Sequence, residues 1–445
     1  MKRIYSLIAA AILLVVTTSA QAQESWSLQK CIDYALKNNI QIKQQVLNSE
    51  YYSNQLGQAK NNRLPNLNAN FQNNMSFGRT VGADNTYLDI NSNSTSGSLS
   101  SNITLWSGFT LKNSIKVADM DLRSTLEEMQ KAKDDMMLNI AASYLEILFA
   151  DELVTVAEDL QKITQLQIDR TGKLVEAGSL AKGSLLEIEA QFAREELNVV
   201  NAQNRLQLAY LALYQLLELP STESFKIEKP VLPEIGANMS LMNTMDVFKN
   251  AVQIRPAVKG AEFKLESARA QLLVAKGNLM PSLSFGGNYY NFYNNKYTDY
   301  SGNKIAFSDQ IKSNERYGFG FTLSVPIFNR YQAKTGVSNS QIQVENTELQ
   351  LQNTKNLLRK DIEQAYTNAI AAFKRYIANQ KTVISSKEAF RYTEEKFNVG
   401  MINSVEYNQS KNNLSAAQSD LLQAKYEYIF RTKILDFYNG KTIEL

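Results

Sequence analysis

Apolar residues repeat every seven positions through the last quarter of the chain. The repeat holds Ile362, Ala369, Tyr376, Val383, Phe390 and Phe397, then resumes through Tyr407, Leu414, Leu421, Tyr428 and Leu435. Such a repeat is typical of a coiled-coil seam, in which each helix turns one apolar stripe toward its partner. A short interruption around Gly400 divides it. The pattern therefore predicts two antiparallel helices joined by a tight turn.

The same pattern occurs 222 residues earlier, around Gly178. Its seam holds Leu185, Phe192, Val199, Leu206 and Leu213. A second set of matches lies 216 residues apart and links Ala35, Lys43, Ala59, Lys60 and Pro65 with Ala251, Lys259, Ala275, Lys276 and Pro281. Matches at nearly constant offsets indicate one unit built twice. We predict a single domain of two repeats, about 24–219 and 240–440, joined by an extended linker at 220–239.

Between the helical stretches, polar and apolar residues alternate with a period of two, which indicates strands. In the first repeat the apolar positions are Leu67, Ala69, Phe71, Met75 and Phe77 and, after a Gly/Asn/Ser-rich loop at 78–97, Leu99, Ile103 and Leu105. In the second they are Leu283, Phe285 and Tyr289, then Tyr317, Phe319, Phe321, Leu323, Val325 and Ile327. Each repeat is therefore predicted as helix, β-hairpin, helix, with the first helix running from about Ser27 to Asn62.

The strands fit either a sheet on a soluble core or membrane-spanning strands, because both alternate apolar and polar faces. The N-terminus favours the membrane. Residues 1–22 combine two basic residues with an apolar run at 7–16 and a small-residue end, which is the pattern of a secretory signal peptide. Strands of about 10 residues with long polar loops at one end also suit a bilayer crossing.

Four strands per chain do not close a membrane barrel, since the smallest such barrels have about 8. Open strand edges are not tolerated in lipid, so several chains must pool their strands. A dimer would supply about 8 strands around a filled interior, whereas a trimer would supply about 12 around a wider lumen. The wider lumen of the trimer suits a channel better, so we predict a homotrimer with a β-barrel of about 12 strands.

The helix predicted from about Phe109 to Arg170 would be about 90 Å long at about 1.5 Å per residue. A helix of that length exceeds the helices of ordinary globular domains, so it is expected to project from the membrane. The predicted fold class is therefore mainly α with a small transmembrane β part.

Composition excludes several classes of function. Removing Lys2 and Arg3 with the signal peptide leaves 45 of the 47 basic residues against 44 acidic ones, which gives no support to a nucleic-acid partner. The chain has no histidine, no phosphate-binding Gly loop and no nucleophile elbow. Its one cysteine, Cys31, has the spacing of a buried helical residue. We expect no enzymatic activity, no cofactor and no metal site.

Short motifs mark the ends of the predicted elements. Before the strands stand Ala59-Lys60 with Pro65 in the first repeat and Pro281 in the second. After the strands stand Leu105-Trp106-Ser107-Gly108 and Pro326-Ile327-Phe328-Asn329. The motif Phe397-Asn398-Val399-Gly400 marks the second tip, which is the turn between the two helices of the second repeat. With these motifs, the duplicated plan and the signal peptide, the chain resembles the TolC-like outer membrane factors, a family of trimeric efflux ducts. The resemblance covers nearly all of the mature chain.

The resemblance implies a β-barrel in the outer membrane of a Gram-negative bacterium and a long α-helical barrel in the periplasm. It implies a passive exit duct of a tripartite efflux or type I secretion system. The implied partners are outer membrane lipid, a periplasmic adaptor and an inner-membrane transporter of the RND, ABC or MFS type.

Adaptor docking is expected at the two helix tips, where glycines allow tight reversal and leave backbone exposed. The docking residues are Val175, Gly178 and Leu180 at the first tip, and Val399, Gly400 and Ile402 at the second. The alternative is that both glycines only satisfy turn geometry.

A periplasmic gate is implied at the second tip. The family's two acidic positions, six and nine residues after the tip glycine, hold Glu406 and Gln409 here, so a double acidic ring is not expected. The resemblance places Phe397, Glu406 and Gln409 at the constriction. The alternative is an exposed Glu406 paired with a neighbouring lysine such as Lys411.

Two other functions fit parts of the sequence. A self-contained porin would also show a signal peptide and alternating strands, but it needs many more strands per chain. A periplasmic coiled-coil adaptor, or another structural coiled-coil protein, would explain the helices but not strands with continuous aromatic faces.

Overall fold

Helices account for most of the described chain. The structure is a computed structural model that describes residues 25–81, 85–89, 91–219, 226–232, 235–236 and 243–445. The predicted signal peptide at 1–22 and parts of the predicted linker at 220–239 lie outside the described residues. Two compact units divide the chain: the first takes its described residues from Met1–Leu47, Glu128–Val258 and Thr354–Leu445, and the second from Asn48–Glu127 and Lys259–Asn353. Each unit draws on both sequence repeats.

Nine helices occur in the described residues. They are α1 (Leu28–Asn38), α2 (Ile40–Asn61), α3 (Thr110–Glu176), α4 (Lys182–Leu217), α5 (Thr244–Ile254), α6 (Pro256–Gly277), α7 (Phe307–Ser313), α8 (Gln332–Asn398) and α9 (Ser404–Tyr438). Helices α3 and α8 each have 67 residues, which corresponds to about 100 Å. The long helix predicted to end near Arg170 is confirmed and continues to Glu176. Within the described ranges, no helix combines the length and apolar character that crossing a membrane requires.

The buried sides of the long helices follow the predicted seams. Buried seam residues are Val199 and Leu213 in α4, Ile362, Ala369 and Phe390 in α8, and Tyr407, Leu414 and Leu435 in α9. Because seven residues nearly complete two helical turns, these positions recur on one side of each helix. The seven-residue repeat therefore identified the packing face correctly.

The helix predicted from Ser27 to Asn62 is interrupted at Asn39, which separates α1 from α2. The Asn39 backbone is extended, and its side-chain oxygen accepts a hydrogen bond from the Gln41 N–H at 2.9 Å. Its side-chain amide donates to the Leu216 carbonyl at 3.0 Å. The prediction of one unbroken helix is wrong, because Asn39 caps the second helix and bonds to a distant segment.

Strands in the described residues form three sheets. The strands are β1 (Ser25–Trp26), β2 (Asn68–Ser76), β3 (Arg79–Val81), β4 (Tyr87–Asp89), β5 (Ser92–Trp106), β6 (Lys226–Ile227), β7 (Ser282–Asn294) and β8 (Arg316–Ser324). The main sheet is antiparallel with the order β2-β5-β7-β8. Both predicted hairpins are therefore confirmed, and β5 pairs with β7 to join them.

Strand bounds differ from the predicted ones in two places. The predicted loop at 78–97 contains the small β3–β4 pair and the start of β5, because the polar run from Ser92 pairs with β2 on one side and β7 on the other. Pairing on both sides overrides the weak strand propensity of Ser and Asn. Strand β8 ends at Ser324 rather than near Ile327, and Pro326 has no N–H for a further ladder bond.

The junction between β5 and α3 depends on two glycines. Gly108 has a φ of 59°, and a Cβ there would lie 2.6 Å from the Gly277 carbonyl oxygen. A Cβ on Gly277 would lie 2.6 Å from the Gly108 carbonyl oxygen. The two backbones approach so closely that neither position accepts a side chain without movement. This contact gives the last residue of the Leu105–Gly108 motif a structural role.

The core of the first unit gathers α1, the middle of α3 and the ends of α4 and α9. Tyr144 of α3 is buried there, and its hydroxyl lies 2.6 Å from the Glu228 carbonyl and 3.1 Å from the Trp26 carbonyl. Those carbonyls belong to the chain at the parallel pair β1 and β6. Residues 226–227, within the predicted extended linker at 220–239, form a strand, and Tyr144 attaches it to the helices. Cys31 is buried in the same core, as predicted.

Candidate functional site at the helix tips

The first tip reverses the chain between α3 and α4 through a Schellman motif. Gly178 adopts a left-handed conformation with a φ of 73°. The Ser179 N–H donates to the Leu174 carbonyl at 2.8 Å, and the Gly178 N–H donates to the Val175 carbonyl at 3.0 Å. These bonds satisfy carbonyls that the end of a helix leaves without intrahelical partners.

The second tip repeats this geometry between α8 and α9. Gly400 has a φ of 74°, the Met401 N–H donates to the Lys396 carbonyl at 2.9 Å, and the Gly400 N–H donates to the Phe397 carbonyl at 3.0 Å. A Cβ on Gly400, like one on Gly178, would meet nothing within 4 Å. The glycines are thus needed for backbone conformation and not for lack of space.

The start of α9 explains part of the chemistry of Glu406. Asn403 is the N-cap and accepts a hydrogen bond from the Glu406 N–H at 2.9 Å, while its own amide lies 3.5 Å from the Glu406 carboxylate. The Asn403 side chain therefore caps α9 and also contacts the Glu406 carboxylate, and the negative charge suits the positive end of the helix dipole. Glu406 and Gln409 are both exposed, and the Gln409 amide donates to Asn413 at 3.0 Å.

Phe397 lies in a small aromatic cluster of the second tip. Its ring stacks on Tyr407 with centroids 4.8 Å apart, and the Phe390 ring also contacts Tyr407, with centroids 5.4 Å apart. Tyr407 is buried, while Phe397 is half-buried. Within one protomer the three rings therefore hold α8 against α9 next to the turn.

Val399 at the second tip is the most exposed of the apolar side chains among the predicted docking residues. Val399 is 70% exposed, whereas Val175, Leu180 and Ile402 are half-buried. Met401 lies within the predicted docking stretch at 397–402 but was not singled out there, and it is 72% exposed beside Gly400. Its apolar character next to the tip glycine was the available signal.

Arg170 near the end of α3 also connects the two tips. Its guanidinium donates to the side-chain and backbone oxygens of Asn398, the last residue of α8. A cation beside the carbonyl end of a helix is stabilised by the helix dipole. Sequence reasoning did not predict this contact, because the two residues are 228 positions apart.

A buried polar cluster crosses three helices of the first unit. Lys411 of α9 forms an ion pair with Glu195 of α4, and Thr164 of α3 contacts both of their side chains. Gln191 donates to Glu195 at 3.0 Å. The Lys411 and Glu195 side chains are 1% and 5% exposed. A desolvated pair of this kind tolerates the loss of neither partner.

The environment of Lys411 contradicts its suggested pairing with Glu406. Lys411 follows Tyr407 by four positions and precedes Leu414 by three, so it lies on the seam side of α9, whereas Glu406 faces solvent. Burial lowers the pKa of the Lys411 ammonium, and its hydrogen bond and charge interaction with Glu195 oppose that shift. Charged residues at seam positions were the signal that could have predicted the cluster.

Metal chemistry finds no support in the described residues, where no group of three or more His, Cys, Asp or Glu side chains is placed to hold an ion. The tips instead offer two tight turns, exposed apolar side chains and one exposed acidic residue. That arrangement suits a protein contact.

Comparisons with known proteins agree with this architecture. The family model for outer membrane efflux proteins matches residues 31–218 and 247–436. Toxin and drug export protein A of Aggregatibacter actinomycetemcomitans is 23% identical over 90% of this chain and 83% of its own. Outer membrane protein TolC of Escherichia coli is 21% identical over 91% and 80%. A crystal structure of CusC superimposes with a TM-score of 0.78 at 19% identity, over 93% of this chain and 92% of that one.

Proposed function

Because the chain belongs to the outer membrane efflux protein family, we propose that three copies of it assemble into an exit channel across the outer membrane. It is a TolC-like outer membrane channel for efflux or type I secretion. The proteins of this family that it resembles are channels rather than enzymes.

One observation supports assembly from several copies: the main sheet of the described chain has two unpaired edges. Among the described residues β2 and β8 each pair on one side only. Unpaired N–H and C=O groups are costly in lipid. Pairing β8 of one copy with β2 of the next would close three sheets into a ring of about 12 strands.

The two faces of the sheet support its orientation in that ring. Phe71, Phe319 and Phe321 lie on one face and are 76%, 81% and 70% exposed in the protomer. Such a face suits contact with lipid. The opposite face consists mainly of Asn, Ser, Gly and Thr residues, with Tyr290, Phe292 and Arg316 near its loop end, and it suits a water-filled lumen. A periplasmic adaptor has no need for a sheet with an exposed aromatic face, so these faces favour a membrane channel over an adaptor.

The helices extend the duct into the periplasm, and the tips are its far end. Val399, Met401 and the backbone at Gly400 offer a surface for a periplasmic adaptor, which would join the channel to an inner-membrane transporter. Glu406 and Gln409 line the gate in this proposal, with Phe397 holding the turn. Capping by Asn403 places Glu406 in the first turn of α9, so three copies around the axis would form one acidic ring.

Assembly provides the direct test. The purified protein should require detergent and have the mass of a trimer. Phe321→Arg should reduce trimer yield, because an arginine on the lipid face costs about 2–4 kcal/mol near the middle of a strand. Thr322→Arg is the matched control, since the next residue lies on the opposite face and should be tolerated. A monodisperse monomer in detergent would contradict the proposal.

A further inference from the structure

Charge is nearly absent from the main sheet. Strands β2, β5, β7 and β8 contain no Asp, Glu or Lys, and Arg316 at the start of β8 is their single charged side chain. The remaining residues are hydroxyl, amide, aliphatic and aromatic residues with several glycines. A lone charge in such a wall sets the sign of the local electrostatic potential.

Strand pairing determines the face on which Arg316 lies. The row of directly opposed residues across the four strands is Asn70, Ser98, Tyr290 and Arg316. Directly opposed residues share a face of the sheet, and successive residues of a strand alternate between faces. Arg316 therefore shares the polar face with Asn70 and Ser98, while Tyr317 lies on the aromatic face.

No acidic side chain forms an ion pair with Arg316 among the described residues; Glu315, the residue before it, lies outside the strand. The Arg316 side chain is exposed, and it has no hydrogen-bond or ion-pair partner among the described residues. In the trimer a neighbouring copy would place its β2 beside β8, and β2 contains no charged residue. Assembly through these edges would leave the guanidinium charge uncompensated by any strand.

We propose that the three Arg316 side chains form a ring of positive charge on the inner wall of the barrel, which makes this part of the channel favour anionic solutes. The inference rests on the proposed trimeric channel with its polar face inward. Rings of arginine favour anions in pores because they attract one sign of charge and repel the other. A guanidinium also binds carboxylate and phosphate groups through paired hydrogen bonds, so small molecules carrying those groups are the class it fits.

Planar-bilayer recording of the purified protein tests the ring. The chloride-to-potassium permeability ratio is measured from the reversal potential in a KCl gradient, and current block is measured with inorganic tripolyphosphate. We expect the ratio to fall by about twofold in Arg316→Gln and further in Arg316→Glu, because the charge changes from positive to neutral to negative. Block by tripolyphosphate should weaken in both variants and persist in Arg316→Lys.

Lys312→Gln is the matched control, since it removes the same charge from an exposed position in α7, outside the sheet. The inference predicts a smaller effect there than in Arg316→Gln. Equal ratios and equal block in wild type, Arg316→Gln and Arg316→Lys would overturn the ring while leaving the channel in place. Absence of any channel from wild-type trimers would instead overturn the proposed function, and the ring with it.

Discussion

The first and second tips reverse the chain in the same way but begin their return helices differently. Gly178 and Gly400 have nearly identical backbones, with φ of 73° and 74°. The return helix α9 is capped by the Asn403 side chain, whereas Ala181 offers α4 no side-chain cap. The shape of the reversal is therefore needed in both repeats, while the side chains around it are specialised at one.

The interiors behind the tips differ as well. The second tip has stacked Phe397 and Tyr407, and its return helix brings Lys411 into the seam. The return helix of the first tip supplies Glu195, the partner of that lysine. One repeat provides the acid and the other the base, so the repeats are not interchangeable. We expect this asymmetry to specify which helices pack together, because a mispaired seam would bury an unpaired charge.

The largest expected effect comes from breaking the Lys411–Glu195 pair. Glu195→Gln leaves the Lys411 charge buried without an anion, so the free energy of unfolding should fall by about 3–5 kcal/mol. Replacing both residues by Glu195→Leu and Lys411→Met should recover most of that loss. Chemical unfolding of the trimer in detergent measures both changes.

The exposed pair of Arg359 and Glu363, 2.7 Å apart on α8, is the matched control. Glu363→Gln should cost less than about 1 kcal/mol, because water screens the pair. The loss in Glu195→Gln should also shrink as the pH rises toward the ordinary lysine pKa of 10.5. A lysine with a lowered folded pKa binds fewer protons than the unfolded chain, so stability rises with pH in that range. Equal losses in the two single variants would show that the buried pair has no special role.

Replacing the tip glycines should cause the next largest loss of stability, and the loss should be equal at the two tips. Gly178→Ala and Gly400→Ala should each cost about 1–2 kcal/mol, because an L side chain disfavours the left-handed backbone. Gly172→Ala within α3 should instead stabilise the helix by about 0.5–1 kcal/mol. Thermal unfolding measures stability, and a cell export assay measures adaptor docking. Normal export with either tip variant would argue against docking at that tip.

Substitutions at the N-caps of α4 and α9 should change stability by a smaller amount, and in opposite directions at the two tips. Asn403→Ala should cost about 1 kcal/mol, since it removes the acceptor for the Glu406 N–H. Ala181→Ser should stabilise the first tip by about 0.5–1 kcal/mol if the new hydroxyl caps α4. Amide hydrogen exchange in the first turns of α4 and α9 measures these stability changes at each helix start. Unchanged exchange in both variants would remove capping as a difference between the tips.

The smallest stability effect is expected at Glu406, where function should respond more strongly. Glu406→Gln should cost about 0.3–1 kcal/mol through the lost interaction with the helix dipole. If Glu406 also lines the gate, the neutral variant should reduce cation preference in single-channel recordings and Glu406→Lys should reverse it. Stability changes without any change in selectivity would leave Glu406 with its interaction with the helix dipole alone.

Much of the tip geometry follows from local sequence. Gly178 and Gly400 interrupt two seven-residue repeats at matching places, and a tight left-handed turn is the simplest backbone that joins such helices. The chemistry behind the tips was harder to predict. Lys411 and Glu195 look like ordinary surface charges until their seam positions are counted, and their pairing links residues more than two hundred positions apart.

Sequence by itself determined the elements of this protein: the long helices, the two hairpins, the faces of the strands and the family to which the motifs point. These features depend on the spacing of apolar residues, every seventh position in the helices and every second in the strands, and that spacing lies within each element's own sequence. Tertiary structure alone decided the break at Asn39, the pairing of β5 with β7 and the partner of Lys411. Each of those depends on a hydrogen bond or ion pair to a distant segment, and only the folded chain brings such groups within reach.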